Sequence, residues 1–197
     1  MRAVRQAERG ETAWHVLRHN HLHQEPPRHQ AYAQRLGLDR ASFPKDLAPW
    51  QAVDVSAMLA ELAPENDGAA SDLRFVRGLC LAMEQHQPWC LGEFSLRKAL
   101  PNLIIGWHGH DAGLVEHDLQ KTAAEEAGHA ALLGLLDSGQ PFEPIIIALR
   151  SDAPVVFEGA HRTVAGFEWL RGHTADDLVV EFYYPCRQAA ALATVLP

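Results

Sequence analysis

Two hydrophobic patterns divide the chain. In the first half the apolar positions repeat at helical spacing. Val55, Met58, Leu59 and Leu62 follow the i, i+3, i+4, i+7 stripe of one helix face, with Pro49 suited to the first turn and Pro64 as terminator, which predicts a helix over 46–62. Leu73, Val76, Cys80 and Met83 predict a second over 72–86, with Ser71 or Asp72 as its cap. A short helix over 28–36 would close at Gly37, and Pro26-Pro27 interrupts regular structure before it. From residue 103 the apolar positions form short continuous runs instead. Leu103 to Ile105, Pro144 to Leu149, Pro154 to Phe157 and Leu178 to Tyr184 predict strands, and Ser151 to Ala153 a tight hairpin turn. Helices are expected from Asp118 to Leu136 with Gly139 as the stop, from the Glu158-Gly159 turn to Gly172, and over the alanine-rich tail 187–196. Residues 87–102 are mixed, with Trp89 and Phe94 as expected core residues. The pattern predicts an α+β fold: a mostly helical N-terminal extension over 1–100, integrated with an α+β core over 101–197.

Composition adds limits. Of 197 residues, 47% are hydrophobic and 21% charged, enough to bury a core. The net charge of −8 repels phosphate backbones and disfavours a nucleic-acid partner, though it leaves room for a local basic pocket. The longest apolar runs are too short to span a bilayer, so no membrane partner is expected. The opening MRAVRQAERG lacks the apolar stretch of a signal peptide. Cys80, Cys90 and Cys186 are odd in number and form no CxxC, so neither a disulfide framework nor a cysteine zinc site is expected, and the cytoplasm is the expected compartment.

Candidate chemistry concentrates at three places. Gly159-Ala160-His161-Arg162-Thr163 lies between an apolar strand and an amphipathic helix. A helix start offers backbone N–H groups and the positive end of the dipole, glycine allows close approach, and arginine and histidine add donors suited to phosphate or carboxylate. The bland alternative is a glycine that only makes the turn, with His161 and Arg162 as a solvated cap and Thr163 bonding its own turn. Among the 12 histidines, His15, His19 and His23 share a helix face, whereas His19, His21 and His23 would share a strand face. Either set could bind a transition metal, and a polar exposed segment is the simpler reading. His108, His110, Asp111 and His117 follow a glycine-flanked H-x-H-D pattern beside Trp107, where His108 or His110 could act as acid or base.

The stretch from Gly139 to Pro185 resembles the ParB/sulfiredoxin-like superfamily. The likeness rests on Pro144 to Leu149, a short turn, Val155 to Phe157, the motif Glu158-Gly159-Ala160-His161-Arg162, and a helix through Val164, Ala165 and Leu170. The strand over 178–184 continues the pattern, and residues 103–139 are compatible with the preceding strand and helix. The resemblance implies a small mixed sheet with flanking helices. It also implies a site at Gly159 to Thr163 for the phosphates of ATP, ADP or CTP. Ala160 replaces the cysteine of sulfiredoxins and disfavours their chemistry. The partitioning proteins carry an arginine-rich motif followed by a helix-turn-helix domain, and neither feature is expected here.

The expected function is therefore a nucleotide-dependent phosphotransferase (a kinase-like enzyme) or a hydrolase acting on a small polar molecule. Gly159, Ala160, His161, Arg162 and Thr163 would hold the nucleotide. Glu158, His161 and His108 would be catalytic, and Glu158 and Asp111 would carry Mg²⁺. Glu143 and Glu116 are further carboxylate candidates. Residues 1–100 would supply a lid, a homodimer surface or half of the substrate site. The alternatives are a DNA-associated or nuclease-like module and a histidine-based metal enzyme.

Overall fold

The computed structural model describes residues 1–8, 11, 12, 15, 88–105, 123–174 and 176–196. The helices expected over 28–36, 46–62 and 72–86 lie outside them. By its contacts the chain divides into one unit comprising Met1–Gln6 with Cys90–Pro197 and a second comprising Ala7–Trp89. The core thus takes in residues 1–6 and 90–100, which the sequence pattern assigns to a helical extension.

That first unit is a mixed α+β structure. Its elements in chain order are β1 (Arg2–Gln6), β2 (Trp89–Ser95), α1 (Leu96–Ala99), β3 (Ile104–Ile105), α2 (Ala123–Asp137), β4 (Ile145–Arg150), β5 (Ala153–Glu158), α3 (Ala160–Gly172), β6 (Val179–Pro185) and α4 (Ala189–Val195). The six strands form one sheet in the order β1-β2-β6-β4-β5-β3. Strands β4 and β5 are antiparallel, β4 runs parallel to β6, and β3 runs parallel to β5. Strand β1 pairs antiparallel with β2, and an ion pair of 2.6 Å joins Arg2 to Glu93 across the ribbon. Strands β1 and β2 lie at the two ends of the stretch expected to be mostly helical, and the residues between them lie largely outside the described ones. Every residue of β1 is exposed, so no alternation marks it in the sequence.

The hairpin forms where the turn chemistry places it. Ser151 and Asp152 take φ of 49° and 67°, and Arg150 faces Ala153 across them. Two positive φ values in a two-residue loop match the twist of the flanking strands. Alternation then sorts the side chains. Ile145, Ile147, Val156, Val180, Phe182 and Tyr184 enter the main hydrophobic cluster with Phe94, Leu96, Leu103 and Leu170. Ile146, Val155 and Tyr183 are also buried, although they fall on the alternate positions of the same strands, so the central strands are covered on both faces. Phe94 meets Phe182 edge-on at 5.1 Å, and Phe182 stacks on Tyr184 at 5.0 Å. Trp89 and Phe94 are buried as expected. Burial pushes the Tyr184 phenol above its ordinary pKa, and its oxygen has no hydrogen-bond partner among the described residues.

A disulfide joins Cys90 at the start of β2 to Cys186 just after β6, with Cα atoms 5.2 Å apart. This corrects the expectation drawn from the cysteine count. Strands β2 and β6 are neighbours in the sheet, and that adjacency brings together two cysteines 96 residues apart. No helix among the described residues is long and apolar enough to cross a membrane.

Candidate functional site

The corner between β5 and α3 is built by a bulge and a glycine. Along the hairpin Ile147 faces Val156, but Ile146 faces Glu158, so Phe157 is the extra residue and the bulge sets Glu158 opposite Ile146. Gly159 follows as the N-cap of α3 with φ 94° and ψ 24°, in the left-handed region. A Cβ there would collide with the Ile145 side chain and lie 2.9 Å from an Arg162 guanidinium nitrogen. Conformation and space both require glycine. Gly159 itself supplies no side-chain cap.

Arg162 lies in the first turn of α3 and is buried, and its guanidinium donates to the carboxylate of Glu158. The pair straddles Gly159, so the strand end and the helix start are clamped together. The Glu158 carboxylate also stands beside the positive end of the α3 dipole, where a negative charge is favoured. The helix start and its arginine therefore already have an anion of the chain's own. Thr163 is buried, and its hydroxyl donates to the Gly159 carbonyl at 2.9 Å. Its proton is used within the turn, which is the local role weighed in the sequence. Ala160 is buried and His161 half-buried. Glu143 precedes β4 and is half-buried. His108, His110, Asp111, Glu116 and His117 lie outside the described residues, as do His19, His21 and His23, while His15 is buried. Among the described residues no group of three or more histidine, cysteine, aspartate or glutamate side chains could hold a metal ion.

At the opposite end of α3, Arg97 donates from Nε to the Asp176 carbonyl at 2.6 Å. Its Nη2 donates to the carbonyls of His173 at 2.7 Å and Leu170 at 3.2 Å. A cation on the last carbonyls complements the negative end of the helix. Close by, Asp177 accepts from the Ser95 hydroxyl at 2.6 Å and from the backbone N–H of Leu178 at 2.8 Å. Burial works to raise the Asp177 pKa. The hydrogen bonds from Ser95, Leu178 and Arg97, with the charge of Lys98, outweigh it and hold the carboxyl below its ordinary value.

One polar pair gives no sequence signal. His129 of α2 is buried, and its Nε2 meets Glu168 of α3 at 2.7 Å. Its Nδ1 has no hydrogen-bond partner among the described residues. Nothing in the local sequence links the two positions, because the packing of α2 on α3 makes the pair.

No family model, no curated protein and no solved structure matches the chain.

Proposed function

We propose that the corner from Glu158 to Thr163 binds the phosphate of a nucleotide. On this reading the chain is a ParB/sulfiredoxin-like phosphotransferase or hydrolase acting on a small polar molecule. The observation that carries the reading is the left-handed Gly159, which starts α3 without a side-chain cap of its own and with Arg162 in the first turn. Backbone N–H groups of the first turn, His161 and Arg162 would meet phosphate oxygens. The nucleotide would be ATP, ADP or CTP.

Glu158 has two roles in this proposal. It holds Arg162 in place, and when a phosphate enters it shares or yields that guanidinium. Freed from the pair, its carboxylate stands one residue from the phosphate and could carry Mg²⁺, with Asp111 as a second oxygen donor. The ion would neutralise phosphate charge. Glu158 could also accept a proton from an acceptor hydroxyl, and His108 remains the proposed acid or base from the substrate side. The cytoplasm remains the proposed compartment on the sequence signals, with the disulfide as the observation that opposes it.

Calorimetric titration with ATP, ADP and CTP, with and without Mg²⁺, tests the proposal. Arg162→Ala should weaken binding by about 1.5–3 kcal/mol, the range for a charge-assisted bond. Glu158→Gln should bind at least as tightly as the unaltered chain and lose turnover. Absence of binding heat for all three nucleotides removes the proposal. Tighter binding with full turnover in Glu158→Gln removes only the catalytic role of Glu158.

A further inference from the structure

Strands β2 and β6 are neighbours inside the sheet, and contacts between them run in steps along one face. Phe94 meets Phe182 edge-on at 5.1 Å. Gly92 lies against the Tyr184 ring, where a Cβ would stand 2.9 Å from its Cε1. Cys90 then bonds Cys186, with Cα atoms 5.2 Å apart. The contacts fall on alternate residues of both strands, as positions sharing one sheet face do. Phe94, Gly92, Phe182 and Tyr184 are buried, whereas both cysteines are half-buried, so the row is sealed at its aromatic end and open at its sulfur end. Packing fixes each cysteine on its own account. Cys90 adjoins buried Leu91, and Cys186 follows buried Pro185. Beyond Cys186 the Gln188 side chain accepts from the Leu149 N–H of β4 at 2.8 Å, and Leu192 and Leu196 enter the core.

We infer that Cys90 and Cys186 form a fold-held redox couple whose partner is a dithiol. An attacking thiolate forms a mixed disulfide with one cysteine and releases the other as a thiolate. Strands β2 and β6 keep that released cysteine beside the mixed disulfide. At such an effective concentration it attacks back and expels a monothiol. A dithiol carries its own second thiolate, which attacks the mixed disulfide and closes the reductant's disulfide. One S–S bond breaks in the protein and one forms in the reductant. Two electrons pass to Cys90 and Cys186, which each end protonated. Exchange with an oxidised dithiol runs the same steps in reverse. The strands stay in place in both directions, so the thiol poise of the compartment sets only which state is populated. The couple works independently of what the Gly159 corner binds.

Alkylation with iodoacetamide and peptide mapping test it on the full-length protein. Diamide should first join Cys90 to Cys186, and failure to join them overturns the proposal. Dithiothreitol under native conditions should then free both cysteines for labelling. Reduced glutathione at equal thiol concentration should free about tenfold less. Equal opening by the two reductants overturns the fold-held pair, and opening only in urea overturns the couple, because the bond would then be a sealed staple. Amide hydrogen exchange at residues 90–95 and 179–185 should change by less than about twofold on reduction. A rise of about tenfold there overturns the proposal, because the bond rather than the packing would then place the strands. Cys186→Ser should fold with the same exchange pattern and label at Cys90 without reductant. Its failure to fold overturns the proposal in the same way.

Discussion

The two ends of α3 are made from similar residues and treated differently. At its C-terminal end Arg97 donates to three backbone carbonyls, and Asp177 collects hydrogen bonds from Ser95 and Leu178. Polar groups there are satisfied by groups the fold fixes in place. At the N-terminal end Arg162 lies in the first turn, Gly159 supplies no side-chain cap of its own, and the guanidinium holds the Glu158 carboxylate across that left-handed glycine. The first end is saturated. The second is closed by the Glu158–Arg162 pair. The buried Arg162 clamps Glu158, and under the proposed function a phosphate would have to enter that pair, so the two ends of α3 can be tested against each other.

The largest effect should come from Gly159→Ala. It forces a Cβ into left-handed backbone and against Ile145, and a loss of about 3–5 kcal/mol in urea unfolding is expected from the summed backbone and packing strain. A loss below about 1 kcal/mol would mean that the corner relaxes easily and is no rigid cradle. Next, Arg162→Met should cost about 3 kcal/mol by stranding Glu158, whereas the double variant Glu158→Gln with Arg162→Met should recover most of that stability. Nucleotide binding should stay weakened in both. If the double variant is as unstable as the single, the pair is not what couples β5 to α3.

Arg97→Ala should lower stability by about 1.5–3 kcal/mol without altering nucleotide affinity, since it strips charge-assisted bonds from the far end of α3. A change in affinity would break the contrast between the two ends. The smallest effect belongs to Asp177. Its folded pKa is depressed, so the stability it adds is present above the ordinary carboxylate pKa and lost as pH falls through the lower folded value. Asp177→Asn should cost about 1 kcal/mol or less at neutral pH and flatten the acid limb of the stability curve. An unchanged acid limb would remove Asp177 from that end's support.

The run from Ile145 to Pro185 was legible because its signals are local. A two-residue polar turn between apolar runs, a glycine before an alanine-rich helix and an aromatic strand each act within a few residues, and β4, β5, α3 and β6 fall where those signals put them. Strands β1 and β2 were not legible as a pair. RAVRQ has no buried face, and its partner strand begins only at Trp89 in the chain. Sheet adjacency alone brings Cys90 to Cys186, and cysteine spacing cannot report it. At the corner, Gly159 could be read as the turn residue. The Glu158–Arg162 pair could not, because i, i+4 neighbours meet reliably within one helix, and here a strand end and a glycine intervene. His129 and Glu168 required the packing of two helices to be known.

The insertion between β1 and β2 also has a kinetic consequence. Gln6 can find Cys90 only after all the intervening chain has been brought back, whereas β4 and β5 meet across two residues. Loop-closure entropy makes the second event early and the first late. The ribbon should therefore be absent from the folding transition state, and weakening it should quicken unfolding while leaving the refolding rate nearly untouched.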